Sequence, residues 1–207
     1  MFLLTPHQAW KLDVPSMVGH LEFFTTRRGR LVFATDNIRN SFMSRYSLAD
    51  AFYDALCDIY HAEKQLLKAV PKLINKASDE NLVEALRTHL AETKQHVERA
   101  EEAFGETGKN PKAKKCEAMA GLIEEAQEML KKETAPEVMD AVIIGLAQKV
   151  EHYEIATYGT LCSWAKTLGY SKAQELLGEN LAQEANADKT LTKVSKNVNR
   201  VAETVNQ

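Results

Sequence analysis

The sequence has few residues that interrupt helices, and it lacks the motifs of a cysteine-bound metal. Nine glycines and five prolines among 207 residues leave room for long helices. The three cysteines stand alone at Cys57, Cys116 and Cys162. Because no C-x-x-C pair occurs, the sequence excludes a rubredoxin centre and a zinc ribbon. Isolated thiols are typical of a reducing compartment, so we expect a cytoplasmic protein.

Two further absences argue against classes of partner. No apolar run approaches the ~20 residues of a membrane-spanning helix, so we expect no membrane contact. The formal net charge of −3 does not provide the basic surface that nucleic-acid binding needs, so we expect no nucleic-acid partner. Hydrophobic residues make up 44% of the chain, which is enough for the core of one good-sized domain.

The first 46 residues differ from the rest because they show no sustained hydrophobic period. A hairpin turning at Arg28-Gly29-Arg30 is one interpretation, since LEFFTT and LVFAT are rich in strand-forming residues. We favour another, in which the true start is Met43 and the preceding 42 residues are upstream sequence. We therefore predict an irregular N-terminal extension over residues 1–46 and a helical domain over residues 47–207.

From residue 47 onward, capping residues and a 3.6-residue period predict four long helices and a shorter one in the connector. Ser47 and Ser78 are predicted N-caps, Gly105 is a predicted helix stop, and Thr134 and Ser171 begin predicted capping boxes. The predicted helices cover residues 47–76, 78–104, 114–132, 134–169 and 171–201. This order predicts an all-α, ferritin-like four-helix bundle with one long crossover connection that carries an extra helix.

Acidic residues interrupt the apolar faces of three of these helices. Glu63 lies in the middle of the first stripe, Glu151 and Glu154 interrupt the stripe of helix 134–169, and Glu184 and Asp188 interrupt the last. Burying a lone carboxylate is strongly unfavourable unless it is paired or bound to metal. The recurrence predicts a carboxylate metal site inside the bundle, although Asp188 has the alternative of bonding a neighbouring side chain.

On the second helix, a metal ligand is predicted from its height along the bundle and not from the apolar stripe. Glu63 and Glu92 are equidistant from the predicted turn between the first two helices, as Glu154 and Glu184 are from Gly169. We therefore predict Glu92 as a ligand, although its side chain points away from the apolar stripe of its helix.

Histidines and ligand chemistry complete the predicted site. His96 is predicted as a ligand, whereas His89 is interpreted as a residue that supports a ligand or as a core histidine. Bridging carboxylates with imidazole suit two ions of iron or manganese better than zinc or calcium. The predicted metal ligands are Glu63, Glu92, His96, Glu151, Glu154, Glu184 and Asp188.

Several segments resemble the bacterial YciF-type stress proteins, a ferritin-like group. The segments are IYHAEKQL (59–66), HLAETKQHVER (89–99), KCEAMAGLIEEA (115–126) and AQKVEHYEIATYGTL (147–161). The resemblance covers about residues 47–200 and implies a homodimeric, four-helix relative of rubrerythrins and ferritins with a link to stress responses. The wider superfamily implies di-iron ligands at Glu63, Glu92, Glu151, Glu154 and Glu184.

The chain departs from the superfamily's usual E-x-x-H pattern. Helix 78–104 has Glu92 and His96 four residues apart, and the last helix has Glu184 and Asp188. The second histidine ligand is therefore predicted to be missing or replaced by Asp188. Because the sequence contains no rubredoxin segment, a redox reaction would need an external electron donor.

Three functions follow from these features. The leading hypothesis is a soluble stress-response protein with a carboxylate-rich dinuclear site that reacts Fe(II) with oxygen or peroxide. The alternative is a non-enzymatic, dimeric helical stress protein with a vestigial site that acts through partners. Haem binding through His89 or His96 is the least favoured, since no second helix offers a facing histidine. Whether the protein is an enzyme stays open.

Overall fold

The computed structural model describes residues 46–205 and two short strands in the N-terminal segment. Strand β1 (Phe24–Thr25) pairs with strand β2 (Leu31–Val32) in antiparallel orientation, with Phe24 opposite Val32. The strands lie on either side of the predicted turn at residues 28–30, but the turn itself lies outside the described residues. The predicted start at Met43 lies outside them as well.

Five α-helices make up most of residues 46–205, and the four long ones form a ring. Helix α1 contacts α2 and α4, and α5 also contacts α2 and α4, whereas the short helix α3 lies outside against α1 and α4. The helices are α1 (Leu48–Lys76), α2 (Glu80–Ala103), α3 (Glu117–Met129), α4 (Pro136–Leu168) and α5 (Ser171–Thr204), and a 3-10 helix (Phe104–Thr107) follows α2. The predicted four-helix bundle is confirmed.

The connector between α2 and α4 runs the full length of the bundle. At one end, the Tyr53 hydroxyl of α1 donates to the carbonyl of Asn110 in the connector. At the other end, Asp140 in the first turns of α4 accepts from the backbone N–H groups of Ser78 and Asp79, between α1 and α2. Helix α4 therefore runs antiparallel to α1 and parallel to α2, which is the predicted one-crossover topology.

Two predictions at the ends of α1 and α2 are corrected by local hydrogen bonds. Ser47 caps α1 as predicted, since its Oγ accepts from the Asp50 N–H at 3.1 Å. Ser78 does not cap α2, because its Oγ donates to Asp140 at 2.6 Å, and Asp79 takes the N-cap position. Gly105 does not end the helical segment; the chain continues as a 3-10 helix to Gly108, whose φ of 66° suits glycine.

The predicted capping boxes at Thr134 and Ser171 are also wrong. Ala135 is the N-cap of α4 and makes no side-chain cap bond, and Pro136 then occupies the first turn. At α5, a carboxylate from elsewhere in the chain takes the role, because Glu106 accepts from the Ala173 N–H at 2.6 Å. Gly169 separates α4 from α5 as predicted, with a φ of 76°.

Apolar side chains fill both ends of the bundle and leave a polar layer between them. One cluster includes Phe52, Leu56 and Phe104, and the other includes Leu82 and Ile143. Fully burying a side chain of this kind contributes about 1.5–3 kcal/mol, so the two clusters can offset a polar layer that opposes folding. Among the described helices, none combines the length and the hydropathy needed to cross a membrane.

Candidate metal centre

Six buried donor side chains from all four long helices converge in the polar layer. One donor atom from each of four residues (His89, Glu151, Glu154 and Glu184) lies within 4.8 Å of the other three, and the same holds for Glu63, His96 and Glu184. We call His89, Glu151 and Glu154 the His89 side, and Glu63 and His96 the His96 side.

Glu184 lies between the two sides and belongs to both groups. Its Oε1 is 2.7 Å from Nδ1 of His96, and its Oε2 is 3.6 Å from Nδ1 of His89. A carboxylate whose two oxygens face two separate donor groups has the geometry of a bridging ligand. Glu184 therefore joins the two donor groups into one cluster.

The donor atoms of the cluster are buried without the partners that buried polar groups normally have. Among the described residues, no hydrogen bond reaches either carboxylate oxygen of Glu154 or of Glu184, nor Oε2 of Glu63 and Glu151, nor Nδ1 of the two histidines. Even the 2.7 Å approach of His96 to Glu184 lacks hydrogen-bond alignment. Such orphaned groups are rare in folded proteins, and a bound cation would satisfy them.

The hydrogen bonds of Arg99 orient His96. Nη1 of Arg99 donates to Oε1 of Gln183 at 2.8 Å, and because arginine only donates, this contact fixes the Gln183 amide with its oxygen inward. That same oxygen lies 3.0 Å from Nε2 of His96, which must then carry the proton. Nδ1 of His96 is consequently the nitrogen available to a metal, facing Glu63 and Glu184.

A second set of hydrogen bonds holds Glu63. The Tyr158 hydroxyl donates to Oε1 of Glu63 at 2.5 Å, and Nδ2 of Asn180 donates to the same hydroxyl at 3.0 Å. Arg99 again sets the direction, since its Nη1 donates to Oδ1 of Asn180 at 3.0 Å. The His96 side is therefore fixed by a network, and Oε2 of Glu63 is left for a ligand.

Burial and neighbouring charges shift the pKa values of the acids in the cluster. Burial, followed by the charge of Glu184, raises the pKa values of Glu151 and Glu154 well above the ordinary 4.5. For Glu184, burial acts in the opposite direction to His96 and His89, and the two imidazoles prevail, so its pKa is lowered. Without metal, Glu151 and Glu154 therefore favour their neutral forms beside an ionised Glu184.

The pKa values of the two histidines are shifted in opposite directions. Burial lowers the pKa of His89, and the neighbouring carboxylates do not reverse this. Burial also acts to lower the pKa of His96, but the nearby carboxylates of Glu184 and Glu63 outweigh it and raise the value to about 10. A neutral His89 is already in the protonation state that binds metal, whereas His96 must release a proton first.

Two of the seven predicted ligands lie outside the cluster. Glu92 is half-buried on α2, where burial raises its pKa, and it lines a groove beside the cluster. Asp188 accepts a hydrogen bond from Gln148 at 3.0 Å and lies 3.4 Å from the exposed His152. The structure thus brings together Glu63, His96, Glu151, Glu154 and Glu184, and their binding of metal stays a prediction.

His89 is the member of the cluster that the sequence analysis did not place among the ligands. Its position relative to His96 was the available signal, since a spacing of seven residues puts both histidines on one helix face with Thr93 between them. All three are buried. A second histidine, His89, therefore lies in the cluster, on the same helix as the first.

The donor set fits a dinuclear iron or manganese centre. The cluster contains four carboxylates and two imidazoles, which is the ligand count of ferritin-like di-metal sites. In those sites each imidazole comes from a different helix, whereas here both come from α2. Carboxylate and imidazole donors without thiolate suit iron and manganese. Neither of the two donor groups among the described residues contains a cysteine.

Comparison with known proteins assigns the chain to a family. Residues 47–204 match the family described as a domain of unknown function, DUF892. The chain belongs to the DUF892 family. The chain is 46% identical over 163 residues to the protein YciF of Escherichia coli K12, covering 78% of this chain and 98% of YciF.

Solved structures agree with the assignment to DUF892. The crystal structure of the E. coli stress protein YciF has 44% identity and a TM-score of 0.72, covering 74% of this chain and 98% of that one. YcfI from Rhodopseudomonas palustris has 41% identity and a TM-score of 0.69, with 73% and 98% covered. The protein XCC3681 from Xanthomonas campestris, at 18% identity and a TM-score of 0.61, shows the fold alone.

Proposed function

We propose that this protein binds two iron ions in the buried cluster and takes part in a stress response by reacting Fe(II) with oxygen or peroxide. The observation that carries the proposal is Glu184, whose two oxygens face the two histidines from between the donor groups. The stress role rests on the similarity to YciF, which is described as a stress protein. Manganese is the alternative metal for the same donors.

In this proposal each side of the cluster has a defined task. Glu63 and His96 would hold one ion, with Nε2–H of His96 fixed on Gln183 and Oε1 of Glu63 fixed by Tyr158. His89, Glu151 and Glu154 would hold the other. When bound, the iron pair would supply the electrons that reduce oxygen or peroxide, and an external donor would be needed to restore it.

The protein's own groups would manage the protons of metal binding. Glu151 and Glu154 favour their neutral forms without metal, so binding releases their protons together with the one on Nδ1 of His96. Apolar residues above and below the layer exclude bulk water from these donors. Affinity for metal is therefore expected to rise with pH through the neutral range.

Elemental analysis after anaerobic loading with Fe(II) and desalting tests the proposal. We expect about two irons per chain in the wild type, as in ferritin-like di-metal sites. The double variant Glu154→Gln/Glu184→Gln should retain none, whereas Glu98→Gln, an exposed acid on α2, should bind as the wild type does. Oxygen consumption by the loaded wild type then tests the reaction itself.

The alternative proposal is a non-enzymatic helical stress protein, a dimer with a vestigial site that acts through partners. The raised pKa values of Glu151 and Glu154 support it, because neutral acids can stay buried without an ion. Absence of retained iron in a folded wild type would favour this alternative. A sedimentation measurement of mass would test the dimer.

A further inference from the structure

The buried cluster reaches solvent through two of its members. His89 and Glu151 keep 7% and 2% of their side chains exposed, whereas the side chains of Glu63, His96 and Glu184 are fully buried. Glu154 is fully buried as well. Within the described part of the chain, an ion that comes from solvent therefore meets His89 and Glu151 first.

A groove between α2 and α5 leads to these two side chains. It has a volume of about 460 Å³, and both His89 and Glu151 line it. Its walls carry Glu84 and Thr88 from α2 and Asn186 from α5, and all three are exposed. The groove thus connects solvent with the His89 side of the cluster.

An apolar cavity beneath α3 also touches His89 and Glu151, but it is much smaller. Leu66, Leu122 and Ala126 are among its lining residues, and its volume is about 40 Å³. A water molecule takes up ~30 Å³ in the liquid, so this cavity holds about one water, whereas an ion with six waters needs roughly 180 Å³. Only the larger of these two spaces admits a hydrated divalent cation.

The charges along the groove also favour a cation. Three carboxylates, those of Asp79, Glu84 and Glu92, line it in addition to Glu151, and Lys193 is the basic residue among its lining groups. A cleft lined by one sign of charge concentrates the opposite ion and raises association rates. Glu92 lies at the height of the cluster but outside it, and its place in the wall of the groove accounts for this acid.

We propose that the α2–α5 groove is the route by which a divalent cation reaches the buried cluster. Glu84 and Glu92 attract the ion along the wall, and His89 and Glu151 receive it at the inner end. This inference rests on the proposed metal site, because the route has a purpose only if the cluster binds a cation. The inference adds a specific path to that site. It also means that Glu84 and Glu92 affect how fast the cation is bound and do not affect how much is bound.

Stopped-flow loading with Co(II) under anaerobic conditions tests the route, because coordinated cobalt is followed by its visible absorbance without any redox reaction. Ala187→Trp places a large side chain in the groove and should slow loading on the order of tenfold, as for binding that must await a rearrangement. Ala182→Trp, at an exposed position of α5 outside the groove, is the matched control and should load at the wild-type rate. Ala126→Trp, which fills the cavity beneath α3, should also leave the rate unchanged.

A charge variant at an exposed position tests the same route without altering the packing. Glu84→Lys should slow loading roughly two- to fivefold at low salt, with the difference shrinking as salt is added. Glu98→Lys makes the same change of net charge on α2 outside the groove and should have little effect. The final amount of cobalt bound should equal that of the wild type in both variants.

The outcomes separate the route from the site. A wild type that takes up no cobalt contradicts the proposed metal site, and the route falls with it. Full cobalt binding with Ala187→Trp as fast as Ala182→Trp overturns the route alone, as would slowing by Ala126→Trp that matches the slowing by Ala187→Trp. If Ala187→Trp fails to fold, equal rates for Glu84→Lys and Glu98→Lys overturn it instead.

Discussion

The two sides of the cluster use the same donor types but are supported differently. On the His96 side, Tyr158 bonds Glu63 and Gln183 bonds His96, and both side chains are fully sealed from solvent. On the His89 side, the described residues provide no hydrogen bond to Nδ1 of His89 or to either oxygen of Glu154. One side is held in a fixed geometry before any ion arrives, and the other side is not.

This difference separates two requirements of a buried metal site. A donor that is fixed by hydrogen bonds presents a defined geometry, but its surroundings leave no path for exchange. A donor at the inner end of a groove is open to solvent, and among the described residues no hydrogen-bond network of the kind at Glu63 and His96 fixes it beforehand. Glu184 joins the two sides, so the donors around His89 lie next to the fixed donors around His96.

The largest expected effect is the pH dependence of stability, to which titrating groups on both sides of the cluster contribute. In metal-free protein, raised pKa values mean that folded Glu151, Glu154 and His96 hold protons that the unfolded chain has released. Above pH 6.5 these groups act in one direction, because the lowered pKa values of His89 and Glu184 act only below the ordinary values of 6.5 and 4.5. The free energy of unfolding should therefore fall between pH 6.5 and 9, by up to about 1.4 kcal/mol per pH unit for the proton on His96, whose pKa is raised to about 10. Glu151 and Glu154 act in the same direction.

Urea unfolding in the presence of a chelator at several pH values measures this slope. Glu154→Gln removes one of the titrating groups and should give a shallower slope, whereas Glu98→Gln should keep the slope of the wild type. Saturating Mn(II) should reverse the trend, since the metal requires ionised carboxylates. A metal-free wild type whose stability is constant from pH 6.5 to 9 contradicts the assignment of raised pKa values to the cluster.

The sequence was sufficient for the fold because the decisive patterns were long and repeated. Helices of 24 to 34 residues with regular apolar stripes predict their own existence, and the buried acids Glu63, Glu151, Glu154 and Glu184 stood out against those stripes. Caps were less predictable. Ser78 donates its hydrogen bond to Asp140, which is 62 residues away in the chain. A short local sequence pattern cannot predict a partner so distant.

The second helix shows why the rest of the site was harder to predict. Matching heights selected Glu92, but height fixes the position along the bundle and not the direction in which a side chain points. Helix α2 turns His89, Thr93 and His96 inward and leaves Glu92 at the groove. The buried face of α2 also carries Leu82, Leu86 and Ala100, so the histidines lie on an apolar stripe. Histidine is buried more often than a carboxylate, so this placement was a weaker signal of a ligand than the acids on the other helices.

A smaller effect is expected when the His96 side is made to resemble the His89 side. Tyr158→Phe removes the hydroxyl that donates to Glu63 and accepts from Asn180, and leaves both groups buried. Unfolding free energy should fall by about 1–3 kcal/mol, the usual cost of unsatisfied buried polar groups. Tyr170→Phe, at a half-buried tyrosine, is the control and should change stability by less than about 0.5 kcal/mol. Equal losses in the two variants would show that the hydroxyl of Tyr158 does not support Glu63.

The smallest expected effect concerns the boundary of the His89 side. Asp188 keeps 21% of its side chain exposed and accepts from Gln148, a bond that the Oδ1 of asparagine can also accept. Asp188→Asn should therefore bind as much iron as the wild type and lose less than about 1 kcal/mol of stability, as expected for a half-exposed ion pair with His152. Iron content after anaerobic loading, with Glu184→Gln as the variant that loses metal, measures the difference. Loss of iron from a folded Asp188→Asn would return Asp188 to the ligand set and would extend the His89 side to a second carboxylate of α5.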